Sequence, residues 1–203
     1  TPNAAQIATS SVMALVAGIH ARLGDDAAAT RALAGVSQRQ AGTFEAARAS
    51  VVLDTGLDAQ ADVLDRAFTL QDLDFARGAF DAYLAWLDRV QADPARRERA
   101  LKAIDASIPG FPLDLQVVNL CRAADRLAAL GDMGGARARI DRAAKVLADT
   151  RFQAEDVVPL GMLVARARIR AGDRDGARAD IVRLGGAYGT LEPGIVDLAD
   201  ELD

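Results

Sequence analysis

The 203-residue chain carries 24 Lys and Arg against 29 Asp and Glu, a net charge of -5, and is 51% hydrophobic but only 4% aromatic. That acidic balance excludes a general nucleic-acid binder, whose affinity rests on cationic neutralisation of phosphates. The single cysteine, Cys121, excludes an intramolecular disulfide and an all-thiolate metal site, and an apolar content carried by Ala, Leu and Val favours closely packed helices.

The chain begins at Thr1 rather than Met, so it is expected to be a processed product or a part of a longer polypeptide. A first helix is predicted near 3–22. It contains the longest apolar stretch, Val12 to Ile19, which is too short to span a bilayer and lacks the basic lead of a signal peptide. A soluble chain without membrane insertion is expected, with a cytoplasmic and a periplasmic home both open. Gly24 and Asp25 end this helix and start a second near 26–36.

A third helix is predicted near 42–54. Its "SVVLD" run is β-branched, but it continues the helical series Phe44, Ala47, Val51. A fourth follows near 58–70. In the fifth, 72–91, Leu73, Ala76, Phe80, Tyr83, Leu87 and Val90 share one stripe, while Phe75 and Trp86 point elsewhere. Trp86 is therefore either an exposed contact anchor or packed against the next hairpin. Asp93 before Pro94 caps a sixth helix, 94–106, and "SIPGFP" from Ser107 to Pro112 breaks the chain with a loop and small hinge. Leu113, Val117, Leu120, Ala124 and Leu127 mark a seventh helix, 113–130. Helices near 133–148, 155–171 and 174–187 follow, and Leu191, Ile195, Leu198 and Leu202 stripe an acidic-backed last helix at 191–202.

The class is thus all-α. In four of the turns a Gly is followed five residues later by Ala: Gly24 and Ala29, Gly56 and Ala61, Gly131 and Ala136, Gly172 and Ala177. Gly takes the left-handed conformation that ends one helix, Asp25, Asp132 or Asp173 caps the next, and Ala lets the two helices approach. The turns recur every ~32 to 41 residues, a period of helical hairpins stacked side by side.

This pattern resembles the tetratricopeptide repeat family. Leu120, Ala124, Leu127, Gly131, Ala136, Ile140 and Ala143 match it in the fourth hairpin. Val164, Ala165, Gly172, Ala177 and Ile181 match in the fifth, with Gly161 at a large-residue position and Arg168 at an aromatic one. Met13, Val16, Ala17, Gly24, Ala29 and Leu33 match in the first, with His20 at the aromatic position. In the second hairpin Glu45 and Arg48 fall where apolar residues belong, and the third lacks the Gly and the Ala. The resemblance implies one domain over 1–203, an α-solenoid of about five antiparallel hairpins (3–36, 42–70, 72–106, 113–148, 155–187) closed by a capping helix, 191–202. It also implies a concave face lined by first helices, which here carries Arg22, Arg122, Asp125, Met162, Arg166 and Arg170. Guanidinium groups there would favour a protein or peptide partner bearing carboxylates.

Residues suited to chemistry have plainer uses. With one His and one Cys no zinc site is expected, and no cofactor is. His20 reads as a partly buried imidazole and Cys121 as a small apolar residue. The carboxylates read as solvated helix faces, and Arg96, Arg97 and Arg99 as a solvated face in preference to an anion site. The glycine-rich "GDMGG" and "RLGGAYG" lack the strand and the Lys-Ser/Thr of a phosphate loop. The expected function is a non-catalytic interaction module of bacterial origin. The alternatives are a scaffold that self-associates through the Trp86 region or an uncapped end, and a small helical enzyme using carboxylates.

Overall fold

A computed structural model describes residues 4–36, 44–54, 63–64 and 72–188, and among these every regular element is helical. The backbone divides into two compact units, Thr1–Gly110 and Phe111–Asp203, and the boundary falls inside the "SIPGFP" break.

The first unit contains α1 (Ala4–Arg22), α2 (Asp26–Ala34), α3 (Phe44–Val52), α4 (Leu73–Arg89) and α5 (Pro94–Ser107), followed by a 3-10 turn at Ile108–Gly110. α1 packs on α2 and on α3, α3 packs on α4, and α4 on α5. Small residues make the α1–α2–α3 junction: Ala17, Ala32 and Ala49 are buried together, with Met13, Val16 and Leu33 packed against them. Larger side chains fill α4 and α5, where Phe80, Tyr83, Leu87 and Ile104 are fully buried. The β-branched Val51 and Val52 are buried in a helix, as their spacing requires.

The second unit contains α6 (Leu113–Ala129), α7 (Met133–Asp149), α8 (Ala154–Arg170) and α9 (Arg174–Tyr188). α6 pairs with α7 and α8 with α9, and α8 also packs on both α6 and α7. Val117, Leu120, Leu127, Ile140 and Ala143 are buried in the first pair, and Ala165, Ala177, Ile181 and Leu184 form the core of the second.

The expected joints are present wherever the chain is described. Gly24, Gly131 and Gly172 have φ of 78°, 79° and 68°. At each, two backbone bonds close the preceding helix. The Gly24 N–H donates to Ala21 and the Asp25 N–H to His20, Gly131 to Ala128 and Asp132 to Leu127, Gly172 to Ile169 and Asp173 to Arg168, all at 2.8–3.2 Å. The Asp then caps the next helix, accepting from the N–H of Ala28 at 3.0 Å, Gly135 at 2.8 Å and Gly176 at 3.1 Å. Ala29, Ala136 and Ala177 are each fully buried at the helix contact that follows.

The α4–α5 hairpin turns without a glycine. Asp93 instead accepts from the N–H groups of Ala95 and Arg96, both at 3.1 Å, with Pro94 at the first helical position. Gly56, Ala61 and the capping helix at 191–202 lie outside the described residues. Of the expected helix at 58–70, residues 63 and 64 alone are described, both helical.

Candidate partner-binding face

α6 and α8 are the first helices of their hairpins and lie against each other. Asp125 lies one turn before the end of α6 and Arg170 is the last residue of α8, and Arg170 Nη1 lies 2.5 Å from Asp125 Oδ2. The second oxygen, Asp125 Oδ1, is buried and accepts no hydrogen bond. Arg122, one turn earlier on α6, is exposed and donates from Nη1 to Asn119 Oδ1 at 3.2 Å. Arg166 is half-buried, one turn before Arg170 on the same face of α8.

The expected residues therefore do not form a uniform cationic strip. Arg170 is neutralised by Asp125, while Arg122 and Arg166 each stand one turn before a member of that pair on their own helices. Met162, expected to line the same face, packs partly buried against the α8–α9 core beside Leu184 and Ile181. Arg22 ends α1, but its side chain lies outside the described residues.

Trp86 corrects the picture of an exposed anchor. It is 4% exposed, and its indole Nε1 donates to Asp54 Oδ1 at 3.2 Å. α4 is covered by α3 on one side and α5 on another, so a residue off the main stripe is buried all the same. Asp54 holds a left-handed φ of 58° just past α3 and also pairs with Arg96. Asp54 and Arg96 line an open cleft of about 350 Å³ with Leu53, Arg89, Val90, Ala92 and Asp93. Both of its arginines are occupied there, Arg96 by Asp54 and Arg89 by Asp26 and the Ala21 carbonyl. Arg89 thereby ties α4 to the α1–α2 turn, and it holds the Asp26 carboxyl below its usual value through a side-chain hydrogen bond.

One charged cluster has no counterpart in the sequence reading. Arg168, placed at an aromatic position by the repeat pattern, is a guanidinium with 14% side-chain exposure. Its Nη1 lies 2.6 Å from Asp173 Oδ2 and 3.0 Å from Asp141 Oδ1, and its Nε lies 2.9 Å from Asp180 Oδ2. These partners come from the α8–α9 joint, from α7 and from α9. Burial acts to raise the Asp173 carboxyl, but hydrogen bonds from Arg168 and from the Gly176 N–H outweigh it and hold the group below its ordinary value. Burial likewise opposes the Arg168 charge, and the hydrogen bond to Asp173 with the field of Asp180 overrides it. Arg183 adds a bond to Asp180 at 3.0 Å. Arg137 of α7 donates to the carbonyls of Ala171 and Gly172 at 3.2 and 3.3 Å, meeting the negative end of α8.

The groups most able to do chemistry have structural surroundings. Cys121 is fully buried, and burial followed by the nearby Asp125 charge pushes its thiol up to about 12. His20 Nδ1 lies 3.5 Å from Asp25 Oδ2, beside the first joint. No group of three or more His, Cys, Asp or Glu that could hold a metal ion is found among the described residues. Nor is any helix among them long and apolar enough to cross a membrane.

Compared with known proteins, the chain matches no family model, no curated protein and no solved structure.

Proposed function

We propose that this chain is a non-catalytic protein-interaction module, a stack of tetratricopeptide-like hairpins that holds a partner segment against the face made by its first helices. The observation that carries this reading is the identity of the three described joints. Gly24, Gly131 and Gly172 share one backbone geometry, one Asp cap and one buried Ala, whereas the outward residues of the helices they join differ from hairpin to hairpin. A repeated joint holding a variable surface is the division of labour of a repeat scaffold. The His, Cys and carboxylates described above act as packing, caps and ion pairs, which fits a scaffold better than a reaction centre.

Arg122 and Arg166 are the side chains on that face with which a carboxylate of the partner would pair. The experiment is capture of native partners by the wild-type chain and by a variant with Arg122→Glu and Arg166→Glu, each verified as helical by circular dichroism. A partner set lost on charge reversal supports the reading. An unaltered set removes this face from it.

A further inference from the structure

α1 is unlike every other helix among the described residues. From Ala4 to Ala21 it contains no Asp, Glu, Lys or Arg, and one side of it exposes Val12 at 57%, Leu15 at 47%, Ile19 at 41% and Leu23 at 76%. These four lie at spacings of three, four and four, so they form one continuous stripe. A continuous stripe of large apolar side chains on a helix is ordinarily covered.

The chain itself indicates what covers a stripe in this register. Counted back from the joint glycine, Val12, Leu15, Ile19 and Leu23 correspond to Leu160, Leu163, Ala167 and Ala171 of α8. There Leu160, Ala167 and Ala171 are buried, and α8 is flanked by both helices of the preceding hairpin, α6 and α7. In α6 the same count reaches Asn119, Arg122, Arg126 and Leu130, and the two exposed middle positions are arginines. Apart from the buried Asn119, the register is thus apolar or small where it is buried and charged where it is most exposed. α1 has the sequence of the covered case and the exposure of the uncovered one.

We infer that this stripe is a docking surface for a second copy of the chain, α1 against α1 in antiparallel orientation. Two features favour a copy over an unrelated partner. The stripe is self-complementary about its middle, since a two-fold axis near Ala17 and Gly18 sets Val12 against Leu23 and Leu15 against Ile19 of the other copy. It is uncharged over its length, so two copies meet without like charges. The exposed apolar area is a few hundred Å² per copy, below the ~800 Å² that each partner of a stable complex contributes, so the dimer is reversible and concentration-dependent.

Sedimentation velocity on the 203-residue chain over a hundredfold concentration range tests this. The weight-average mass is expected to rise from 21.3 kDa toward twice that value in the wild type. It should remain at the monomer mass in Leu15→Glu and in Leu23→Glu, with wild-type melting temperatures. Leu23 is the safer variant because its side chain is already largely in water. A monomer mass for the wild type throughout, or a mass increase that survives in both folded variants, overturns the inference. So does a fall in the melting temperature of Leu23→Glu without any wild-type dimer, which would mean that the stripe is covered from within the chain.

Discussion

Leu184 of α9 fills the space that a side chain at Gly161 of α8 would need: a Cβ on Gly161 would lie 2.7 Å from Leu184 Cδ2 and 2.9 Å from Cδ1. The large residue that the repeat pattern expects at position 161 is supplied from the opposite helix. Gly161→Ala should therefore lower stability by about 1 kcal/mol, although helix propensity alone would raise it by a similar amount. Leu184→Ala should cost about 2–4 kcal/mol, and the double variant less than the sum, because each change relieves the other. Urea denaturation of the four proteins checks the coupling, and strict additivity would contradict the contact.

The joint glycines separate backbone conformation from crowding. Nothing lies within 4 Å of a Cβ at Gly24 or Gly131, so a substitution there pays only for the left-handed backbone. Gly131→Val should cost about 2 kcal/mol, Gly131→Ala about 1, and Gly131→Asn less than either, since Asn tolerates that region. Thermal melts of the three variants should fall in that order. A Val variant as stable as the Asn variant would mean that position 131 does not need its positive φ.

These joints were legible in the sequence because they are local: a left-handed Gly, an Asp cap and an Ala within six residues report on one another without long-range information. The same holds for the helix limits, set by Asp93–Pro94 and by the joint residues Asp132 and Asp173. What was not legible depends on placement across helices. Arg168 is buried because Asp141, Asp173 and Asp180 converge on it from separate elements, and no spacing along the chain announces that. Trp86 is buried because α4 is covered from two sides. Glu45 and Arg48, polar where apolar residues were expected, bond each other at 3.2 Å, and the Arg48 guanidinium sits 5.7 Å from the centre of the Phe44 ring, which itself packs edge-on against Phe75.

The Arg168 cluster predicts a pH response with a definite sign. Asp173 lies below its ordinary value of 3.8, so its contribution is complete above that pH and is lost as pH falls through the lower folded value. Arg168 stays charged up to strong alkali, and the contribution should be flat between. Arg168→Gln should cost about 2 kcal/mol at pH 7, less than for a fully buried pair, by taking the shared guanidinium from Asp141 and Asp173 and leaving Asp180 to Arg183. The penalty should shrink at pH 3, below the ordinary value of Asp173, as that carboxyl begins to protonate. Paired urea titrations at the two pH values measure it, and a pH-independent penalty would reduce Arg168 to a packing residue.

Trp86 is the single tryptophan of the chain, which makes its surroundings directly observable. Its emission should be blue-shifted and poorly quenched by acrylamide in the folded protein, moving to the red on unfolding. Trp86→Phe keeps an aromatic ring but removes the bond to Asp54 and the volume of the second ring, and should cost about 1–3 kcal/mol. An emission maximum already in the red before denaturation would return Trp86 to the surface.

The central claim, that this is a scaffold whose first-helix face holds a partner, is tested most directly by quantitative capture from native cells. The comparison sets the wild-type chain beside the variant with Arg122→Glu and Arg166→Glu, and beside a control with Arg178→Glu on the exposed side of α9. The account predicts a set of proteins rich in acidic segments that binds the wild type and the control equally and is depleted at least tenfold on the face variant, all three melting alike. Equal capture by all three would contradict it.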